Sequence, residues 1–379
     1  MHWQMIVENE GGKPEMSIST RSKNILKKSL VALSMIAPFA IAGPALAEPD
    51  FAGKDITFWT SHKGADSVLS LQTFSNYISK YLKGNPKITV VSKFGGGGLV
   101  NANYFAKINK PDGLNVTMFN FVVTMAWAMG KDGVNYELDQ YRMVGAEPQV
   151  FMHMAGTSAK VGDSMLDIAK AGPHTYGTRT RNANVMAAEM LFKGAGNPLK
   201  VVTGFGKTED VIQALASGEV QLSYVYGPAW VRNEANYRGM GLKPLAQMGV
   251  IGKNGEVARY APLANIPTVA ELYLKTNPNG KKTMEYLAMK TATGLSNIGK
   301  GYFIGKDTPD DIVDAWRAAM QKAAADPDFI KEHTKLLGTP LELVPGPEAE
   351  SILKDGLEVL KDTYFQKGND GYKMVFGGK

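Results

Sequence analysis

The chain has 379 residues, of which 44% are apolar and 21% charged, and it contains no Cys. This composition is typical of a globular protein and excludes a disordered chain, disulfide bonds and thiolate chemistry. The net charge of +6 is spread along the chain without a basic block, so nucleic acid is not an expected partner.

The N-terminus carries the pattern of an export signal. Basic residues between positions 21 and 28 precede an apolar run at 30–42, and Ala45-Leu46-Ala47 matches the small-x-small pattern that signal peptidase cleaves. The run of about 13 residues is shorter than the roughly 20 that a membrane-spanning helix needs. We therefore predict that 1–47 is a signal peptide with an upstream extension, cleaved after Ala47, and that the mature protein is periplasmic.

Strands and helices alternate along the first part of the mature chain. Apolar patterning predicts strands at 54–60, 87–91 and 114–120, with helices at 67–83 and 100–108 between them. The glycine-rich stretch at 94–98 is expected to be a tight loop, because its spacing does not fit a dinucleotide site. This alternation indicates a mostly parallel sheet that is covered by helices on both faces.

The same alternation restarts further along the chain. Strands are predicted at 174–177, 199–203 and 221–226, with helices at 184–193 and 209–217, and the C-terminal part is helical at 310–325 and 347–361. A strand at 150–155 is expected to carry the chain across to this second unit, and 286–293 to bring it back. The Gly- and Lys-rich segment at 280–305 has no predicted role.

These patterns predict an α/β fold of two lobes, each a mostly parallel sheet flanked by helices, joined by two hinge crossings. Lobe 1 is expected to contain 48–152 and 287–379, and lobe 2 to contain 153–286. Two lobes with two crossings enclose a cleft in which a small molecule could bind.

The motifs of several enzyme classes are missing from the sequence. The stretch at 204–208 resembles a phosphate-binding loop, but the first glycine of that motif would fall at Val201. Neither His-Glu-x-x-His nor Gly-x-Ser-x-Gly occurs, and the five His residues lack metal-binding spacing. No catalytic residue, cofactor or metal ion is therefore predicted.

Two polar loops are the candidates for ligand binding. The loops at 60–66 and 176–184 each follow a strand and open a helix, whose free N–H groups and dipole favour an anion. Ligands of open α/β sheets bind outside the carboxyl ends of the strands, where both loops are expected. Arg179 and Arg181 add guanidinium groups that can bind carboxylates through two hydrogen bonds, although each alone fits an ordinary surface position equally well.

A series of motifs along nearly the whole mature chain resembles one protein family. They include YELDQYRMVG at 136–145 and LKPLAQM at 242–248, and they lie, in order, at 56–66, 94–101, 110–113, 136–145, 176–178, 242–248, 266–271 and 306–309. Their order and spacing resemble the periplasmic solute-binding proteins of tripartite tricarboxylate transporters, also called Bug proteins. The resemblance implies a two-lobed trap, without enzymatic activity, that captures a small carboxylate and delivers it to membrane transporter subunits. A monomer suits such a hinged trap and is the expected state.

The resemblance also implies which residues contact the ligand. Transferred position by position to this sequence, the expected contact residues are Ser61, His62, Lys63, Gly64, Asp66, Gly177, Thr178, Arg179, Thr180, Arg181, Asn182, Phe205, Lys207 and Thr208. Tyr226 is a further candidate. The first loop lacks the family's usual Pro-x-Pro-Ala-Gly-Gly run, and Arg179, Arg181 and Met186 replace small residues and a His in the second. The added positive charge favours a di- or tricarboxylate. An aromatic acid is the alternative ligand. The candidates for an apolar wall of the site are Trp59, Phe121, Trp127, Tyr226 and Trp230, although most of these fit a core equally well.

Two other functions fit the same architecture. The chain could be a periplasmic enzyme that uses Asp66 or His62 as an acid or base. It could also be a binding protein whose loaded form signals to a sensor.

Overall fold

The computed structural model describes residues 48–63, 65–128, 130–159, 162, 164–179, 183–361, 366 and 368–369. The predicted signal peptide lies outside the described residues, as do Gly64, Thr180, Arg181 and Asn182 of the expected binding loops. The side chain of Asp66 is likewise not described.

The elements follow the predicted alternation through most of the chain. The first series is β1 (Asp55–Thr60), α1 (Ala65–Tyr81), β2 (Lys87–Ser92), α2 (Leu99–Ile108), β3 (Asn115–Asn120), α3 (Phe121–Ala128) and β4 (Tyr141–Glu147). The second is β5 (Phe151–Ala155), α4 (Met165–Lys170), β6 (Thr175–Gly177), α5 (Ala183–Gly194), β7 (Lys200–Val202), α6 (Thr208–Ser217), β8 (Leu222–Tyr226), α7 (Gly227–Gly239) and β9 (Lys243–Gln247). The last is β10 (Val250–Ile251), β11 (Val257–Ala258), α8 (Val269–Thr276), α9 (Met284–Asn297), β12 (Lys300–Gly305), α10 (Asp310–Ala325), α11 (Pro327–Leu337), β13 (Val344–Pro345) and α12 (Gly346–Lys361).

These strands form two larger sheets, each with helices packed on it, as predicted. The first has the order β13-β4-β12-β3-β1-β2 and the second β7-β6-β8-β5-β9. Each sheet is mostly parallel, as predicted: β1, β2, β3 and β4 run in one direction in the first sheet, and β6, β7, β8 and β9 run in one direction in the second. Strands joined through a helix, such as β1, β2 and β3, are parallel. In contrast, β12 and β5 are antiparallel to their neighbours, because each enters from the other sheet at the carboxyl edge.

The chain passes between the two sheets twice, and both passages lie side by side at the carboxyl edges of the sheets. β4 leads into β5 through three residues, and α9 leads into β12 through two. The backbone N–H of Gln149 in the first passage donates to the carbonyl of Ser296 beside the second, at 2.8 Å. A Cβ at Gly299 would lie 2.8 Å from Gln149 Cβ, so a larger residue would push the two passages apart. The carboxyl edges of the two sheets are thereby joined.

Aromatic side chains fill the core between the first sheet and its helices. Phe58 of β1 contacts Trp316 of α10 and Tyr302 of β12 edge to face, with ring centres 6.4 and 5.5 Å apart. Trp316 is fully buried and its indole N–H donates to the carbonyl of Gly113 at 3.0 Å. Such pairs are favourable beyond the area they bury, so this cluster holds α10 against the sheet.

The segment at 280–305, which had no predicted role, supplies two structural elements. α9 packs against α5 and α12, and β12 is an inner strand of the first sheet. The predicted return segment at 286–293 is the middle of α9, so the chain re-enters the first sheet only after Asn297.

Trp230, a candidate for the apolar wall of the site, is 1% exposed and stacks on Tyr237 in the core of the second sheet, so the structure supports its interpretation as a core residue. Among the described helices, none has both the length and the apolar character needed to cross a bilayer.

Candidate functional site

Six helices begin at the joined carboxyl edges. α1, α2 and α3 follow β1, β2 and β3 of the first sheet, and α5, α6 and α7 follow β6, β7 and β8 of the second. The first turn of each helix has backbone N–H groups without helical partners and the positive end of the helix dipole. Some of these groups already have partners, since the N–H of Phe121 donates to the carbonyl of Gly299 and that of Gly227 to the carbonyl of Val150. The helix dipoles and the remaining N–H groups favour an anion at the edges.

The glycine-rich loop packs closely against the ends of β1 and β3. Gly95 to Gly98 all have positive φ, from 56° to 135°, a conformation that glycine adopts without strain. A Cβ at Gly98 would lie 2.7 Å from Val123 Cγ2 and 3.3 Å from Ser61 Oγ. This loop is thus backbone-permissive, as the sequence analysis expected.

Asn120, at the end of β3, connects three loops of this edge. Its amide nitrogen donates to Ser61 Oγ and to the carbonyl of Gly97, both at 3.2 Å. Its amide oxygen accepts from the backbone N–H of Val123 at 3.2 Å and so caps the start of α3. Ser61, an expected ligand contact, is held in place by this residue, which the sequence analysis did not single out.

A buried ion pair lies where β4 ends and β12 begins. The Lys300 ammonium is 2.6 Å from Glu147 Oε2, both side chains are 9% exposed, and the Tyr302 hydroxyl donates to Glu147 Oε1. Burial opposes ionisation of Glu147, but the charge of Lys300 and the two hydrogen bonds outweigh it and lower the pKa of Glu147 below its usual value. Burial likewise opposes the charge of Lys300, but Glu147 outweighs it and raises the pKa of Lys300. The pair is therefore charged at neutral pH.

The second sheet contributes an aromatic ring to the same place. The centre of the Tyr226 ring, at the end of β8, is 5.9 Å from Lys300 Nζ, and the Phe151 ring packs against it at 5.9 Å. Burial raises the pKa of Tyr226, so its hydroxyl remains protonated. We call Glu147, Lys300, Tyr302 and Tyr226 the junction cluster. It combines side chains from both sheets, and of these four residues only Tyr226 was an expected contact.

His62 lies in the electrostatic field of the junction cluster. Its backbone N–H donates to Thr60 Oγ1 at 3.1 Å, and its ring Nδ1 lies 3.3 Å from the same hydroxyl. Burial and, to a lesser degree, the positive charge of Lys300 lower the pKa of His62 to about 4, although Glu147 partly opposes this. The imidazole is therefore neutral at pH 7 and is a hydrogen-bonding group rather than a cation.

The described part of the second binding loop combines a fixed backbone with an exposed cation. The carbonyl of Gly177 accepts from Ser223 Oγ at 2.7 Å, and the backbone N–H of Thr178 donates to the carbonyl of Val202 at 2.9 Å. Thr178 is buried, whereas Arg179 is exposed at the same edge.

The remaining expected contacts lie around these loops. Phe205 is partly buried against the apolar core of the second sheet, and the backbone N–H of Lys207 donates to Asp210 just before Thr208 begins α6. No described contact joins these three residues to the junction cluster. The Lys63 ammonium lies 4.5 Å from the centre of the Phe94 ring, beside a groove of about 540 Å³ along α1.

Two further aromatic candidates have hydrogen-bond partners in the first series of elements, between β1 and β4. The indole N–H of Trp59 donates to Asn115 at 3.0 Å, and that of Trp127 donates to Glu137 at 2.6 Å. Within the residues that the structure describes, no group of three or more His, Asp or Glu side chains could hold a metal ion.

Comparison with known proteins gives structural matches only. No family model matches the chain, and no curated protein sequence matches it. A TctC solute-binding protein from Polaromonas is 16% identical with a TM-score of 0.59, and the match covers 81% of this chain and 96% of that one. Rpa4515 of Rhodopseudomonas palustris, solved with adipate, is 16% identical with a TM-score of 0.54, covering 82% and 98%.

A third solved structure extends this set. MatC of Rhodopseudomonas palustris, with bound malate, is 16% identical with a TM-score of 0.52, and the match covers 81% of this chain and 98% of MatC. The chain therefore has the two-lobed fold of solute-binding proteins, as the sequence motifs indicated.

Proposed function

We propose that the chain is a periplasmic solute-binding protein of the TctC/Bug family. It captures a small carboxylate between its two lobes and delivers it to the membrane subunits of a tripartite tricarboxylate-type transporter. One observation carries the proposal. The carboxyl edges of the two sheets meet, each edge has helix starts and polar loops, and the junction cluster between them contains side chains from both sheets. The predicted export signal, the family motifs and the fold support it, and the structural neighbours include proteins with bound malate and adipate.

The ligand would bind between the two edges. On the first lobe, Ser61 and His62 offer a hydroxyl and a neutral imidazole beside the start of α1. On the second lobe, Thr178 and Arg179 follow β6, and Arg179 would bind a carboxylate oxygen at the mouth. Gly64, Asp66, Thr180, Arg181 and Asn182 complete the proposed contacts.

Closure of the lobes would bury the ligand. The chain passes between the two sheets at 148–150 and 298–299. The sequence predicted lobes of 48–152 with 287–379 and of 153–286, whereas we place the lobe boundaries at these passages. Residues there absorb the change in backbone angles on closure. A ligand that contacts both lobes binds the closed form more tightly and so shifts the population toward it. The membrane partner would recognise that closed form.

A thermal-shift screen tests the proposed function. The mature chain would be heated with malate, adipate, citrate or benzoate, and with uncharged adipamide as the matched control. At least one of the acids should raise the melting temperature because it binds the folded state, and adipamide should not. The acid should be recovered unchanged after incubation. No stabilisation by any acid would contradict the proposal, and turnover of the acid would replace it with the enzyme hypothesis.

Replacement of Arg179 tests the second binding loop. Arg179→Ala should weaken binding of the stabilising acid at least tenfold, a loss of about 1.4 kcal/mol, because a charge-assisted hydrogen bond is removed. Isothermal titration calorimetry would measure the affinity. The matched control is Arg238→Ala, since Arg238 lies at the end of α7 and pairs with Glu234 on the surface. Equal affinities of Arg179→Ala and wild type would remove Arg179 from the proposed site.

A further inference from the structure

We propose that Lys300 is the residue that makes this site select an acid, because its ammonium, held by Glu147 at the junction of the two sheets, binds a carboxylate of the ligand. The inference rests on the proposed function and adds to Arg179 a second carboxylate contact, on a residue that the family motifs do not include.

The sheet register places Lys300 at the centre of the first binding edge. As the first residue of β12 it pairs with Asn120 at the end of β3 on one side and with Glu147 at the end of β4 on the other. Directly paired residues project from the same face of a sheet. Lys300 therefore shares a face with Asn120, whose amide holds Ser61 of the first binding loop.

Within the junction cluster, Lys300 does not use all of its N–H donors, and the others can bind a ligand. An ammonium has three N–H donors, and among the described residues Glu147 Oε2 is the one acceptor within hydrogen-bond distance of Lys300 Nζ. Glu147 itself is satisfied at both oxygens, by Lys300 and Tyr302. A ligand carboxylate can accept from the donors of Lys300 that Glu147 does not use.

The surroundings of Lys300 favour a carboxylate over a neutral group. The Tyr226 ring of the second sheet lies 5.9 Å from Lys300 Nζ, so a ligand on this ammonium would touch both lobes. His62 is neutral at pH 7 and does not compete as a second cation. Electrostatic interactions are stronger at a buried position than in water, so one ammonium there can discriminate strongly between charged and uncharged ligands.

The simpler interpretation is that the ion pair only ties the two passages together. Both residues flank those passages, so this interpretation explains their burial without a ligand. The two interpretations predict different behaviour when both charges are removed together. If the ion pair is only structural, the double variant Lys300→Met with Glu147→Gln should bind the ligand as wild type does. If Lys300 binds the ligand, the double variant should bind it at least tenfold more weakly.

The test compares Lys300→Met, Lys300→Arg and the double variant Lys300→Met with Glu147→Gln. Affinities for malate and adipate would be measured by calorimetry, and folding by circular dichroism. We expect at least tenfold weaker binding in Lys300→Met and in the double variant, with Lys300→Arg within threefold of wild type. Lys306→Met, an exposed substitution just beyond the other end of β12, is the matched control and should bind normally.

The outcomes separate this inference from the proposed function. If wild type binds malate or adipate and the double variant binds it with less than a tenfold loss, Lys300 has only a structural role and the inference is overturned. The double variant decides the question if Lys300→Met does not fold, because it leaves no charge unpaired. If wild type binds neither malate nor adipate, this inference fails as stated. The proposed function fails as well only if citrate and benzoate also do not bind.

Discussion

Glu147→Ala should lower the free energy of unfolding by about 3–5 kcal/mol, because it leaves the Lys300 ammonium buried without its counter-ion. Urea unfolding followed by circular dichroism would measure the loss. The double variant Glu147→Gln with Lys300→Met should recover most of the stability, since it removes both charges. A loss below about 1 kcal/mol in Glu147→Ala would show that the pair is not a buried charged pair.

The stabilisation from this pair should not change near neutral pH. The pKa of Glu147 is lowered by folding, so its contribution is present above the ordinary value of 4.5 and is lost as pH falls through the folded pKa. The pKa of Lys300 is raised, so its contribution is present below the ordinary value of 10.5 and is lost as pH rises through the folded pKa. The difference in stability between wild type and the double variant should therefore stay constant between about pH 7 and about pH 9, where neither His62 nor Tyr226, which also interact with the pair, changes charge.

Gln247→Met should lower the free energy of unfolding by about 3 kcal/mol. Gln247 is fully buried; its Nε2 donates to the carbonyls of Leu263 and Ile266 at 2.8 and 2.7 Å, and its Oε1 accepts from the N–H of Tyr260 at 2.7 Å. Met has a similar volume but makes none of these hydrogen bonds, so the Tyr260 N–H and the Ile266 carbonyl lose the partner that Gln247 supplies, while the Leu263 carbonyl keeps the Ile266 N–H.

Urea unfolding would measure this loss too. The matched control is Gln72→Met on α1, where the side chain makes one surface hydrogen bond and the expected change is within about 0.5 kcal/mol. Similar effects of the two substitutions would contradict the view that Gln247 holds the 260–266 segment against β9.

Local patterns were sufficient to predict most strands and helices. β1 and α1 follow directly from a short apolar run and from apolar residues at helical spacing, because both patterns depend only on neighbouring residues. The direction of β12 could not be predicted in this way. The direction of β12 depends on the edge at which the chain re-enters the first sheet, and no local pattern in α9 indicates that edge.

The binding loops were easier to predict than the junction cluster. Ser61 and His62 stand between a strand and a helix, and the rule for open α/β sheets places such loops at the ligand edge. Glu147 and Lys300 are 153 positions apart and meet only because β4 and β12 pair antiparallel. Asn120 did carry a signal, since Asn directly before a helix is a common cap, but that signal indicates a helix start and not a ligand site.

The most direct test of the account is a crystal structure of the mature chain with the acid that stabilises it most. We predict that one carboxylate lies within about 3 Å of Lys300 Nζ or of the Ser61–His62 loop, and that the same ligand also contacts Tyr226 or the loop after β6. A ligand bound only in the groove beside Lys63 and Phe94, with no contact to the second sheet, would contradict capture between two lobes.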